Sequence, residues 1–447
     1  MFEALRQRWF ELRHCLGLRE RLQSDAGRAK AALRLAALGD RRAVQPLMLA
    51  WQCFPAVPPT PTSLVADLYR QRLRVALVTA LGRLGDSRAA ELLVTALSDT
   101  HKVRCAALTA LGLIGDRRVV PAVASVLEAE MRSHFDIRGC HFQTESMPEA
   151  IEALRQLGDA RALEALVGVL QPGFAEHLAN YHTQLADEFA VAAARALGSL
   201  GDARARGELI RALGSGNGDL RATAASALAA LGEPEWQGLV QGGLDDFERL
   251  AHCRDSRALE PLINGLVNGG FDVRRTAAEA LGAFGDPRAK EPLLVAMGDW
   301  IPQVRRAAAG ALAQLGDQVW VNQVKGDLGD FDRMAACGPR AATPLIGALQ
   351  QYKTGESGLR DYLIDRNPRR GGDEQVRRAA QEALVALKNA DTTDEDTRRI
   401  IRRALKTEHA LVEAKRKELI ASIAESKATD ERHAAMDRAG YWYGPDD

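Results

Sequence analysis

A short phrase that recurs along the chain constrains its fold more than any other feature of the sequence. The phrase has the form Gly-Asp-x-Arg, with one large apolar residue before it and an apolar helical pattern after it. Six copies are LGDRRAVQPL at 38–47, LGDSRAAELL at 84–93, IGDRRVVPAV at 114–123, LGDARALEAL at 157–166, LGDARARGEL at 200–209 and FGDPRAKEPL at 284–293. Because self-similarity at a short period is typical of repeat proteins, the sequence predicts a stacked array of small units.

An amphipathic helix precedes the phrase in several copies. In VRRAAAGALAQLGD at 304–317, apolar residues recur at offsets of three, four, seven, eight and eleven, which is a single helical stripe. The glycine supplies a left-handed position that ends this helix, and the following aspartate is a good N-cap for a second helix. Each unit is therefore predicted to be a helix, a tight turn and a helix.

One such hairpin cannot bury its own apolar stripe, whereas stacked hairpins share a continuous core. The pattern VRxxAAxALGxLGDxRAxxPL resembles the short HEAT-like repeats of phycobilisome lyases. This resemblance implies an all-α, right-handed α-solenoid of HEAT-like hairpins, and counting the repeats along the chain gives about ten of them. We expect an N-terminal capping helix at 1–27, the repeats at 28–390, and a helical cap with an aromatic tail at 391–447. For function the resemblance is less specific, because such repeats serve bilin lyases, hydroxylases and plain scaffolds.

Composition narrows the range of functions. Lys+Arg and Asp+Glu both number 59, so the chain lacks the basic excess of a general nucleic-acid binder, and nucleic acid is not the expected partner. The cysteines are scattered without a CxxC pair, which favours a reducing, cytoplasmic setting. No apolar run is long enough to span a membrane, and the N-terminus does not have the pattern of a signal peptide.

The recurring arginines and aspartates have two interpretations. A stripe of arginines could bind phosphate or carboxylate groups. The equal recurrence of turn aspartates favours a structural ladder, in which the turn aspartate of one unit bonds an arginine of the next. We therefore expect Asp286 to lie close to Arg305 or Arg306.

A larger duplication lies inside the array. WQGLVQGGLDDFERLAHC at 236–253 and WVNQVKGDLGDFDRMAAC at 320–337 share nine identical residues, and each replaces a full repeat with a shortened one. The shared Trp and Cys could form a pair of duplicated ligand sites. The favoured interpretation is that Trp and Phe fill the space left by shortened helices, because buried aromatic residues usually serve packing.

Four insertions interrupt the repeats, at 52–70, 129–147, 171–188 and 352–375. The first three follow the second helix of a unit, so stacking should place them side by side along one edge. Since insertions in repeat arrays often form the binding face, this edge is the predicted binding region. The concave face is the other surface considered.

The second and third insertions carry most of the candidate binding residues. His134 and His177 each precede the turn glycine of their unit by 24 residues, which places them in register. The full candidate set is His134, Phe135, Cys140, His141, Phe142, His177, Tyr181, His182 and, from the fourth insertion, Arg366, Arg369 and Arg370. Four interpretations of the His/Cys cluster stay open: a metal site, a chromophore-handling site as the resemblance implies, a protein-binding surface, and an ordinary ordered loop. The spacing disfavours metal.

The expected function is a protein–protein interaction scaffold or adaptor without enzymatic activity, cofactor or metal. No GxSxG motif and no P-loop are present. Hydroxylases built on similar repeats carry His-Glu dipeptides as iron ligands, and this sequence contains none. A bilin lyase-like or chromophore-handling protein is the alternative, with a small-molecule ligand in place of a protein. Nucleic-acid binding through the arginines of the fourth insertion is a weaker one.

Overall fold

A computed structural model describes residues 37, 39–53, 64–133, 146–253, 255–351, 372–407 and 410. All regular structure in these residues is helical, which confirms the predicted all-α class. They fall into two compact units, 1–246 and 247–447. The predicted capping helix at 1–27 lies outside the described residues. The aromatic tail does too, and the limits of the predicted domains stay predictions.

The α-helices of the first unit are α1 Val44–Cys53, α2 Leu64–Leu84, α3 Ala90–Ala96, α4 His101–Ile114, α5 Val120–Ser133, α6 Met147–Leu157, α7 Leu163–Leu170, α8 Pro172–Leu200, α9 Arg206–Ala212, α10 Gly218–Ala230 and α11 Glu235–Leu239. Those that follow are α12 Asp246–His252, α13 Leu259–Asn268, α14 Phe271–Phe284, α15 Lys290–Ala296, α16 Pro302–Gln314, α17 Asp330–Ala335, α18 Ala342–Gln351 and α19 Gly372–Asn389. Residues 395–407 are also helical.

The Gly-Asp phrase forms the turn inside each hairpin as predicted. Gly115 has a φ of 71° and ends α4 in the left-handed conformation. The Asp116 side chain then accepts a hydrogen bond from the backbone N–H of Arg118 and starts a short 3-10 turn, Arg117–Val119, which continues into α5. The turn is therefore set by local backbone chemistry. The number of about ten hairpins stays a prediction.

Successive first helices of the hairpins pack closely within each unit: α2 on α4, α4 on α6, α6 on α8 and α8 on α10 in the first, and α14 on α16 in the second. Glycine allows close approach of the helices in both units: a Cβ on Gly82 of α2 would lie 2.6 Å from Cα of Ala110, and one on Gly282 of α14 would lie 2.8 Å from Cα of Ala311. The core between the helices is mainly Ala, Leu and Val. The small residues of the apolar stripe thus allow helix contact, as the pattern predicted.

The insertions enter the fold at one kind of connection, between the second helix of one hairpin and the first helix of the next. Residues 54–63, 134–145 and 352–371 belong to three of these connections and lie outside the described residues. The third insertion, 171–188, is helical and extends the N-terminal end of α8, a helix of 29 residues. We refer to the segments between the second helix of one hairpin and the first helix of the next as the inter-repeat connections.

Candidate functional site

Buried arginines hold the inter-repeat connections together. Arg305, near the start of α16, is fully buried and bridges the connection before its helix to the next one. Its guanidinium donates to the carbonyls of Asp299 and Trp300 on one side, and to the carbonyl of Asp327 and the carboxylate of Asp330 on the other. One side chain therefore fixes two connections relative to each other.

The same arrangement recurs in both units. Arg221 donates to the carbonyls of Ser215 and Gly216 and, across the gap, to Asp246 and the carbonyls of Gly242 and Gly243. In the second unit Arg274 donates to the carbonyl of Gly269 and to the carboxylate of Asp299. In the first unit Arg74 pairs with Asp99 and lies over the Trp51 ring, 3.7 Å from its centroid.

The predicted ladder, in which a turn aspartate bonds an arginine of the next unit, is wrong at Asp286. Asp286 does not pair with Arg305; it accepts bonds from the backbone and guanidinium of Arg288 in its own turn. Arg305 pairs with Asp330, which is 25 residues further on. Two separate sets of Arg–Asp pairs exist, one inside each turn and one across the connections. Each arginine named here has a carboxylate partner, so a ligand-binding stripe of free arginines is not supported.

In the Arg–Asp pairs inside the turns, the arginine side chain is exposed to solvent. In Asp86–Arg88, the Nη2 of Arg88 lies 2.7 Å from a carboxylate oxygen. Hydrogen bonds from the Arg88 side chain and backbone lower the pKa of Asp86 to about 2. Because these two charges are matched within three residues, the Asp86–Arg88 turn is close to neutral in its local field.

A cluster of polar groups lies where the second insertion leaves and rejoins the helices. Glu130 on α5 is buried, accepts a hydrogen bond from the Ser146 hydroxyl, and pairs with Arg104 at 3.3 Å. Burial raises the pKa of Glu130 to about 7, against the opposing effect of Arg104. Since Glu130 and Ser146 lie near opposite ends of the insertion at 129–147, this bond joins its two ends.

Cys105 lies beside this cluster. Burial, reinforced by the charges of Glu149 and Glu130, raises the pKa of its thiol to about 12. A thiol in such surroundings is a poor nucleophile, because the reactive form is the thiolate. His101 is close, with its ring nitrogens 3.6 and 3.7 Å from the sulfur. Within the described residues, no three His, Cys, Asp or Glu side chains could hold a metal ion.

The aromatic residues of the duplicated segments serve packing, which is the interpretation that the sequence favoured. Trp236 and Trp320 are each 1% exposed, and Phe247 and Phe331 are fully buried. Each indole N–H donates to a carboxylate three residues earlier, Glu233 or Asp317. A ligand could not reach these rings without unfolding the segment. Burial also raises the pKa of Cys253 and Cys337.

The candidate residues of the second and fourth insertions lie outside the described residues: His134, Phe135, Cys140, His141, Phe142, Arg366, Arg369 and Arg370. His177, Tyr181 and His182 lie in α8, on its N-terminal extension. The neighbourhood that the register predicts for His134 and His177 therefore stays a prediction.

Exposed apolar residues on the connections of the second unit were missed in the sequence. Phe271, Trp300 and Leu328 are all substantially exposed, and each lies within two residues of a group bonded to Arg274 or Arg305. Their only signal in the sequence was position, since Trp300 and Leu328 stand between two helices and Phe271 is the first residue of α14. Because hydrophobic periodicity marks core positions, it gives no reason to select them.

Shallow surface cavities occur between first helices of the first unit. One of about 120 Å³ lies between α6 and α8, where Ile151 and Phe189 line it. Another of about 420 Å³ lies between α8 and α10 and is lined by small residues such as Gly198 and Ala227. Arg195 borders both. Glu152, Arg155 and Glu188 also line the smaller cavity, but both cavities are open at the surface, whereas cofactor sites generally bury most of their ligand.

Comparison with known families agrees with this architecture. The HEAT-repeat model matches residues 63–133, 175–256 and 259–326, and the PBS lyase HEAT-like repeat model matches 149–172 and 304–351. Together the matches span more than half of the chain. The chain is a HEAT-repeat protein, and part of it consists of PBS lyase HEAT-like repeats. The predicted α-solenoid class and family are thereby confirmed.

Two solved structures are similar. One is the complex of CpcE and CpcF of phycocyanin lyase from Nostoc sp. PCC7120, at 22% identity and a TM-score of 0.31, covering 57% of this chain and 88% of that chain. The other is an engineered protein, at 20% identity and a TM-score of 0.32, covering 89% of this chain and 99% of that chain. At these TM-scores neither likeness carries a functional argument.

No curated protein matches the chain. Within the described residues, no helix is both long and apolar enough to cross a membrane.

Proposed function

We propose that this HEAT-repeat chain is a non-enzymatic scaffold or adaptor that binds a partner protein through its inter-repeat connections. One observation carries the proposal: all four enlarged segments enter the chain at connections of this kind. Where the connections are described, buried arginines tie neighbouring ones together. The fold thus supports variable segments on a fixed framework.

This arrangement suits binding for a physical reason. Association costs less entropy when the framework that carries the contacting residues is already ordered, and the arginine bridges fix the described connections relative to each other. Aromatic and histidine side chains of the second and third insertions would then supply contact area and hydrogen bonds. His134, Phe142 and Tyr181 are the residues on which we rely most.

The test replaces residues 134–145 with a Gly-Ser segment of equal length. This range is narrower than the predicted insertion because Glu130 and Ser146 belong to the framework and must be kept. Affinity purification with the wild-type chain identifies partners, and their binding is then measured with both purified proteins. We expect the replacement to abolish binding of at least one partner while the circular dichroism spectrum and the unfolding midpoint stay unchanged.

The same replacement at 360–371, which removes Arg366, Arg369 and Arg370, is the matched second variant. If the wild-type chain and both replacements bind every purified partner equally, the insertions are not the binding region.

A bilin-handling protein is the second candidate, favoured by the PBS lyase HEAT-like repeats at 149–172 and 304–351. On this proposal the second and third insertions hold a tetrapyrrole in place of a protein. Added bilin should then shift its absorption maximum with the wild-type chain and not with the 134–145 replacement. An unchanged bilin spectrum would end this candidate and leave the scaffold proposal standing.

A further inference from the structure

Two structurally equivalent connections show which side chains the fold requires and which it does not. The duplicated segments are offset by 84 residues, as between Trp236 and Trp320, and the offset extends to the arginine bridges. In both copies a buried arginine, Arg221 or Arg305, donates to a buried aspartate near the start of the next helix. Gly242 and Gly326 both have positive φ at the same place. The two connections therefore share one backbone design.

Their side chains differ in a way that the backbone does not require. The second copy carries four residues that we call the Trp300 patch: Trp300, Arg306, Lys325 and Leu328. The first copy keeps only the leucine, as Leu244, and has Gly216, Ala222 and Gln241 at the other positions. The two leucines are almost equally exposed, at 44% and 45%. Since the first connection forms without the other three side chains, packing does not explain them.

The two stretches of chain that carry the patch run side by side. Arg305 donates to the carbonyls of Trp300 and Asp327, which lies directly before Leu328. A Cβ on Gly326 would lie 3.3 Å from both the Arg306 Nε and the Pro302 Cβ. The Arg306 side chain therefore lies against the stretch that carries Lys325 and Leu328.

Charge and exposure indicate the partner. Trp300 is 47% exposed, which is unusual for so large an apolar side chain. Over the described part of the chain, neither Arg306 nor Lys325 forms an ion pair, whereas the neighbouring Asp327 is paired with Arg333. An exposed tryptophan on the same connection as an unpaired arginine has the composition of a binding hot spot. The complementary surface is apolar and negatively charged.

We propose that the Trp300 patch binds an acidic segment of a partner protein. An apolar side chain of that segment packs on Trp300 and Leu328, and its carboxylates lie at Arg306 and Lys325. This inference rests on the proposed scaffold function and names the chemistry of one partner. It also places a binding surface on a connection that has no insertion.

The probe is a fluorescein-labelled peptide in which Leu and Phe alternate with Glu, and its binding to the full chain is measured by fluorescence anisotropy. We expect binding that weakens as salt screens the charges, and at least an about tenfold loss for Trp300→Ala with Leu328→Ala. The double charge reversal Arg306→Glu with Lys325→Glu should cause a similar loss. The matched controls are Leu244→Ala and Ala222→Glu with Gln241→Glu, which make equivalent changes in the first copy.

Three results would overturn the inference: equal affinity for a peptide with Lys in place of Glu, an equal loss in the controls, or no peptide binding together with binding of phosphatidylserine vesicles or single-stranded RNA. The outcome is separable from the scaffold proposal. If purified partners bind the patch variants normally but not the 134–145 replacement, the patch inference fails and the scaffold proposal stands. If the peptide result holds while no partner depends on an insertion, the scaffold proposal fails in its choice of region.

Discussion

Replacing Arg305 with leucine is the sharpest test of the arginine bridges. The side chain is 1% exposed and donates to Asp330 and to three backbone carbonyls, those of Asp299, Trp300 and Asp327. Leucine would remove one of the two guanidinium partners of the buried Asp330 carboxylate, which keeps Arg333. It would also remove the arginine donor to the carbonyls of Asp299 and Trp300, while the Asp327 carbonyl keeps the backbone N–H of Asp330. Removing one partner of a buried ion pair typically costs about 3–5 kcal/mol. We expect a loss of that size in the free energy of unfolding.

The adjacent residue provides the control. Arg306 is exposed and forms no ion pair with the part of the chain that the structure describes, so Arg306→Leu should change stability by less than about 0.5 kcal/mol. The two variants remove the same side chain from neighbouring positions. Their difference therefore isolates burial and pairing from the intrinsic helix propensities of arginine and leucine.

Urea unfolding followed by circular dichroism measures the loss, and hydrogen exchange locates it. Repeat arrays need not unfold in one step, so the amides of α14 and α16 should show the largest loss of protection. If Arg305→Leu and Arg306→Leu unfold at the same urea concentration, the bridge does not stabilise the connections and the reasoning is wrong.

Three further predictions test other features. Because burial raises the folded pKa of Glu130 to about 7, above its unfolded value of 4.5, this group's contribution to stability is full below pH 4.5 and is lost as pH rises through 7. In thermal melts the unfolding midpoint of the wild-type chain should therefore fall between pH 5 and 8, and Glu130→Gln should remove this fall. If the fall persists unchanged in the variant, a group other than Glu130 causes it. Gly282→Ala should destabilise by about 1–3 kcal/mol, since its Cβ would meet Ala311, whereas Gly310→Ala, with open space around it, should be neutral or stabilising in urea titrations. Iodoacetamide at pH 8 should label Cys105 only after unfolding, as read by mass spectrometry, because its thiol pKa is about 12; rapid labelling of the folded chain would contradict this.

The hairpin turns could be predicted in detail because their chemistry is local. Gly115 must be left-handed to end its helix, and Asp116 caps the next turn through a residue two positions away. Neither requirement depends on distant parts of the chain. The same holds for the apolar stripe, whose spacing alone indicates which face of each first helix is buried.

The partners of the buried arginines could not be predicted in the same way. Arg305 has aspartates at several distances in the sequence, and the ladder hypothesis selected the turn residue Asp286. Stacking instead brings Asp330 to the guanidinium, while Asp286 is occupied by Arg288. A regular signal was present, since Arg221, Arg274 and Arg305 each have an aspartate 25 residues later. The 25-residue spacing alone did not show that each arginine contacts its aspartate in the fold.

The class of protein and the form of its unit follow from the amino-acid order alone, because helix periodicity, the left-handed glycine and the capping aspartate act within a few residues. Which arginines form bridges and which do not depends on contacts between repeats, so the folded array was needed to show it. In the fold Arg305 is buried and the adjacent Arg306 is exposed. The same residue type thus stabilises the framework at one position and, on our proposal, binds a partner at the next.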